Sequence, residues 1–94
     1  MTDSFKRSVE ERYTYDGEEV YWKVDHGKMR AGDLAGHISS SGHVLVSIGG
    51  VQLPAERIAF LLHYGRYPNG VLQHINGDPL DNRIENIREP LETS

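Results

Sequence analysis

Ninety-four residues, with 37% apolar side chains and ten glycines, suffice for one small, turn-rich core and not for two. Fourteen acidic against ten basic residues leave a net charge of −4, which argues against a tight non-specific binder of polyanionic DNA. No apolar run approaches the ~20 residues of a membrane-spanning helix. The N-terminal residues lack a signal-peptide core, and without cysteine there are no disulfides or thiolate–zinc sites, so the expectation is a cytoplasmic protein.

Residues 1–12 are polar and mixed in charge, with Phe5 and Val9 at helical spacing, and predict an N-terminal tail or short helix. Tyr13-Thr14-Tyr15, the turn pair Asp16-Gly17, and Val20-Tyr21-Trp22-Lys23-Val24 predict a hairpin in which Trp22 is a packing residue. Residues 25–36 read as a loop carrying His26, Lys28 and Arg30, with His37 just after it. His43-Val44-Leu45-Val46-Ser47-Ile48 and Val51-Gln52-Leu53, joined by Gly49-Gly50, predict a second hairpin whose free edge permits a homodimer. Pro54 opens a helix over 55–64, with Ile58, Leu61 and Leu62 on one stripe and Gly65 as its stop. Pro68-Asn69-Gly70 turns the chain.

Val71-Leu72-Gln73-His74-Ile75 then predicts a short strand, and Asn76-Gly77-Asp78-Pro79 is dense in turn formers. Asp81 is placed to cap a helix in which Ile84 and Ile87 share a side, with Pro90 disfavouring a long continuation. A histidine held at a strand end can serve as general base on a water near neutral pH. Hydrolysis of a phosphodiester also requires charge neutralisation, commonly by a divalent metal with oxygen or imidazole ligands.

His74-Ile75-Asn76-Gly77-Asp78 and Asp81-Asn82-Arg83-Ile84-Glu85-Asn86-Ile87-Arg88 resemble the signature of the HNH endonucleases of phage and homing type. Upstream, Tyr21-Trp22-Lys23, Ala31-Gly32-Asp33-Leu34-Ala35-Gly36, Gly42-His43-Val44 and the run from Arg57 to Pro68 are similar to the N-terminal half of small phage HNH proteins. The resemblance implies an α+β single domain over 13–94, with N-terminal hairpins, a central helix and a ββα-metal finger at about 71–89. Its hairpin would lie around 71–80 and its helix would start at Asp81. It also implies His74 as general base, Asn86 and Asn82 as the motif asparagines, a divalent cation (most often magnesium) as cofactor, and DNA as partner. Arg57, Arg66, Arg83 and Arg88 are the candidate DNA-contacting side chains.

The departures fall on the metal. Gln73 stands where the family places Asp or His, and a neutral amide is a weak ligand for a hard dication. No residue matches the family's second ligand, expected further along the continuing helix. Glu56 replaces the histidine that commonly precedes Arg57. Asp78, Asp81, Glu85 and Glu56 are the carboxylates available to rebuild a site. Two readings stand open. One is a binding module or inhibitor with an impaired metal site, directed at DNA or a host DNA-processing protein. The other is an active metal-dependent endonuclease using His74.

Overall fold

The computed structural model describes residues 2–48 and 50–90. Helix α1 (Thr2–Arg12) leads directly into β1 (Tyr13–Tyr15), which pairs antiparallel with β2 (Val20–Trp22). The turn between them forms because Asp16 Oδ1 accepts the backbone N–H groups of Glu18 and Glu19, both at 2.9 Å, while Gly17 takes φ +97°. Trp22 packs against the Tyr13 ring at 4.7 Å and the His26 ring at 5.2 Å, so it fills the hairpin as the sequence predicts.

The segment read as a loop does more than connect. Trp22 donates its N–H to Asp33 O at 2.8 Å, and Ala35 donates to Val20 O at 2.9 Å, so residues 33–35 run beside β2. The chain then forms β3 (His37–Ile38), which pairs with β4 (Val44–Ile48); β4 in turn pairs with β5 (Val51–Pro54), giving a three-stranded antiparallel sheet in the order β3-β4-β5. One edge of the expected hairpin is therefore already covered by His37 and Ile38. The Gly49-Gly50 turn is described only at Gly50, with φ +84°; Gly49 lies outside the described residues, as do 91–94 at the end of the chain.

Helix α2 (Ala55–Tyr64) follows Pro54 and stops at Gly65, whose φ of +74° lets its N–H reach back to Leu61 O at 2.8 Å. Its buried stripe, Ala55, Ile58, Ala59 and Leu61, closes the core against Val9, Tyr13, Val20, Val46 and Ile48. The α2 helix thus contacts α1, both β-hairpins and the C-terminal segment. Burial on this scale, ~25 cal/mol per Å² of apolar surface, is what orders so short a chain. The architecture is a small α+β fold, and no helix among the described residues is long and apolar enough to cross a membrane.

The C-terminal segment departs from expectation. The helix expected from Asp81 is absent. Ile84–Asn86 makes a single 3-10 turn, and the chain returns as β7 (Ile87–Arg88) paired antiparallel with β6 (Gln73–His74). The hairpin therefore spans 73–88 and is not confined to 71–80. The reason is local competition. Asp81 Oδ1 accepts from Arg83 N and its carboxylate binds the Arg83 guanidinium, while the Asn86 amide bonds backbone and side chain across the loop. Short polar side chains that satisfy nearby backbone in this way displace helical bonding. The spacing of Ile84 and Ile87 reflects one 3-10 turn, in which i and i+3 share a side.

Candidate functional site

The loop 75–86 is held by an amide frame. Asn86, buried at 5% exposure, accepts from Asn76 N with Oδ1 and donates with Nδ2 to Asn76 Oδ1 and Asp81 O, all at 2.9 Å. Asn76 Nδ2 in turn donates to Asp81 Oδ2 at 2.9 Å, and Asn76 Oδ1 accepts from Asp78 N at 2.8 Å. The Asp78 carboxylate accepts from Leu80 N at 3.0 Å. Arg83 grips Asp81 through two parallel bonds at 2.9 and 2.8 Å, which hold the Asp81 carboxyl well below the usual carboxylate range and the guanidinium above its own. Ile84 N donates to Gly17 O at 2.9 Å, tying this loop to the first hairpin.

His74 lies at the seam between that loop and α2. Its Nε2 meets Asn82 Oδ1 at 2.7 Å, which places the ring proton on Nε2 and leaves Nδ1 as the basic nitrogen. Glu56, in the first turn of α2, brings Oε1 to 4.0 Å from the same nitrogen, and the two side chains are only 10% and 12% exposed. Asn82 is itself held from behind, because Tyr15 donates its hydroxyl to the Asn82 carbonyl. Burial, and then the surrounding carboxylates Asp16, Glu85, Glu19 and Asp81, push the Tyr15 phenol well above its usual pKa.

Residues 54–89 match the family model described as HNH endonuclease. The match spans 36 of the 94 residues. No curated protein and no solved structure gives a significant match.

The match covers α2 and the whole β6–β7 hairpin. Within the matched segment, His74, Asn82 and Asn86 converge on one loop: His74 touches Asn82, and Asn86 frames the loop that carries Asn82. Gln73 stands apart from them. It is exposed, and its Oε1 accepts from Arg88 Nε at 3.1 Å. Among the described residues no three His, Cys, Asp or Glu side chains gather as a metal-binding group. The residues present do not fit the arrangement that the family implies for its divalent cation. Gln73 offers a neutral amide already engaged by Arg88, and Asp81, Asp78 and Glu85 are occupied by the loop frame or paired with Arg83.

The four arginines differ. Arg66 makes two bonds to Glu89, at 3.0 and 2.9 Å, and Arg83 is paired with Asp81 and Glu85. Arg57 donates to Gly70 O at 3.4 Å and Arg88 to Gln73, both neutral acceptors. Sequence reasoning reached Glu56 only as one carboxylate among four, and it missed Tyr15 and the double role of Asn76. Glu56 carried a signal in its place beside Arg57, where the family commonly has histidine. Tyr15 carried none, being 67 residues from the carbonyl it binds.

Proposed function

We propose that the chain is an HNH-type module that engages DNA or a DNA-processing protein, in which the histidine motif serves chiefly as a structural frame. The observation that carries this is the commitment of Gln73 to Arg88, which leaves no charged donor on the residue preceding His74. The acidic flank made by Asp16, Glu19, Asp81 and Glu85 beside Tyr15 disfavours phosphate near the loop, so DNA contact falls to Arg57 and Arg88. A protein target with a basic face suits the same flank, which supports an inhibitor role against a bacterial DNA-processing protein.

A second reading is favoured by one observation. With Asn82 Oδ1 accepting from Nε2, a neutral His74 carries its lone pair on Nδ1, the arrangement a general base requires. On that reading the chain nicks DNA with a divalent metal. Plasmid nicking with magnesium or manganese, with His74→Ala as control, separates the two. Metal-dependent nicking lost in the variant refutes the module; no nicking by the wild-type chain refutes the nuclease. For the module itself, a gel-shift titration should weaken in the Arg57→Ala/Arg88→Ala double variant, and capture from bacterial lysate should return a specific DNA-processing protein. Failure of both refutes it.

A further inference from the structure

The part of the chain before the matched segment carries a cavity of about 420 Å³, between the β1–β2 hairpin, the turn 26–29 and the three-stranded sheet. That volume falls in the ~300–1,000 Å³ range of small-molecule sites. One wall is aromatic. Trp22 and His26 stack nearly parallel, 8° apart with ring centres at 5.2 Å, and His26 is exposed, so the stack ends in a ring that a further planar group can cover. The wall is also held in place. His26 and Met29 exchange backbone bonds of 2.9 and 2.8 Å, and Asp25 Oδ1 accepts from Ala31 N at 2.9 Å. Tyr13 donates its hydroxyl to Ser47 O at 2.7 Å, which joins β1 to β4 beside the cavity. Gly36 and Gly50 line it without side chains and leave it open.

The charges around the cavity run against those of the chain. The protein is net −4, yet Arg12, His26 and His37 line the cavity and, among the described residues, no Asp or Glu does. The Arg12 side chain has no hydrogen-bond or ion-pair partner among the described residues, whereas Arg66 and Arg83 are engaged by carboxylates. Burial raises the Tyr13 pKa and the Arg12 charge opposes that rise, so the guanidinium lies near the Tyr13 hydroxyl. We propose that this cavity binds an unpaired nucleotide, with its base on the Trp22–His26 stack and its phosphate against Arg12 and His37. Every base has a π-face that an aromatic wall can cover. A guanidinium binds phosphate through paired N–H donors. A simple anion leaves the aromatic wall unused and a neutral aromatic leaves Arg12 unused; a nucleotide uses both. The same unit occurs free and in single-stranded DNA. No lining residue falls within 54–89, so neither Arg57 nor Arg88 takes part. The site therefore goes beyond the contacts proposed above and holds or fails apart from them.

Trp22 is the only tryptophan of the chain, so its fluorescence reports on this cavity in the unaltered protein. Titration of the full chain with thymidine 5′-monophosphate should change that emission and move the NMR signals of the Trp22 indole and His26 imidazole. Inorganic phosphate and thymidine should each bind more weakly. His26→Ala should weaken binding about fivefold or more, the lower end of what a stacked base contributes. Arg12→Ala should weaken binding and reduce its salt dependence together. Arg7→Ala removes the same charge from the same helix outside the cavity and should leave the affinity unchanged, as should His43→Ala. All four positions are exposed, and circular dichroism checks that each variant is folded. Tighter binding of oligothymidylate than of the mononucleotide assigns the site to single-stranded DNA; equal or weaker binding assigns it to the free nucleotide. The proposal is overturned by no response at millimolar nucleotide, or by phosphate or thymidine binding as tightly. Unchanged affinity in Arg12→Ala or His26→Ala, an equal loss in Arg7→Ala, or tighter binding of duplex than of single strand overturns it equally.

Discussion

Asn86→Ala tests whether the amide frame holds the C-terminal hairpin. The side chain makes three hydrogen bonds at 2.9 Å in a site 5% exposed. Each such bond contributes a net of about 1 kcal/mol, and truncation leaves the Asn76 N–H and the Asp81 carbonyl without their partner, so the cost comes to about 3 kcal/mol. That is a large part of the ~5–15 kcal/mol by which a domain of this kind is stable, and it corresponds to a fall of roughly 10–20 °C in Tm. Urea unfolding followed by circular dichroism should show a lower midpoint at unchanged slope. Asn86→Asp sharpens the test. It keeps the shape and the oxygen facing Asn76 N, but turns a second oxygen against Asn76 Oδ1 and Asp81 O, which Nδ2 now bonds. It should cost at least as much as the alanine variant near neutral pH and recover in part on acidification, as the carboxyl takes a proton and becomes a donor. A midpoint for Asn86→Ala within about 0.5 kcal/mol of wild type, the range of neutral surface changes, would refute the frame.

Tyr15→Phe removes the hydroxyl that holds the Asn82 carbonyl and should cost about 1 kcal/mol in the same assay. Because the folded-state Tyr15 pKa is raised above the usual 10.0, first by burial, its contribution is complete below that value and lost as pH rises beyond it; the variant should lack this alkaline loss. Glu89 runs the other way. Bonds from Arg66, and then from Asn69 N, lower its pKa to about 2 from the usual 4.5, so its contribution is present above 4.5 and lost as pH falls towards 2. Glu89→Gln should flatten that acid limb in a pH series of melts. Gly36→Ala meets two penalties: φ is +89°, and a Cβ there would lie 2.9 Å from Leu45 O, for a cost of roughly 1–3 kcal/mol. Gly42→Ala, at φ +85° with open space around it, should cost less, and equal costs would contradict the clash.

The parts legible in the sequence are those whose cause is local. The helix over 55–64, its proline start and its glycine stop are fixed by neighbours in the chain, and both antiparallel hairpins follow from apolar runs flanking turn formers. The parts not legible depend on distant partners. His37 and Ile38 become a strand only because the edge of β4 is there to receive them, and residues 33–35 are ordered by β2. The expected helix at Asp81 shows the opposite error. A capping residue and two isoleucines three apart satisfy a helical pattern, yet the same Asp81 and Asn86 side chains have better partners within the loop. That His74, Asn82 and Asn86 would share one loop was legible from their spacing, while Glu56 was only one option, because the contact joining α2 to β6 crosses 18 residues of chain.

That division separates two sets of bonds within one hairpin. The bonds among Asn76, Asp81 and Asn86 close within the loop and owe nothing to the rest of the fold, so they persist whatever happens at His74. The group of Glu56, His74 and Asn82 exists only where α2 meets β6. Replacing the residue before His74 with a glutamine that binds Arg88 alters the exposed side of the hairpin and leaves the loop frame intact. A chain can therefore keep the full signature for the sake of folding while the chemistry at its seam is free to change. In this protein the seam holds a buried carboxylate 4.0 Å from a histidine, a contact that lasts only while α2 stays docked on the hairpin.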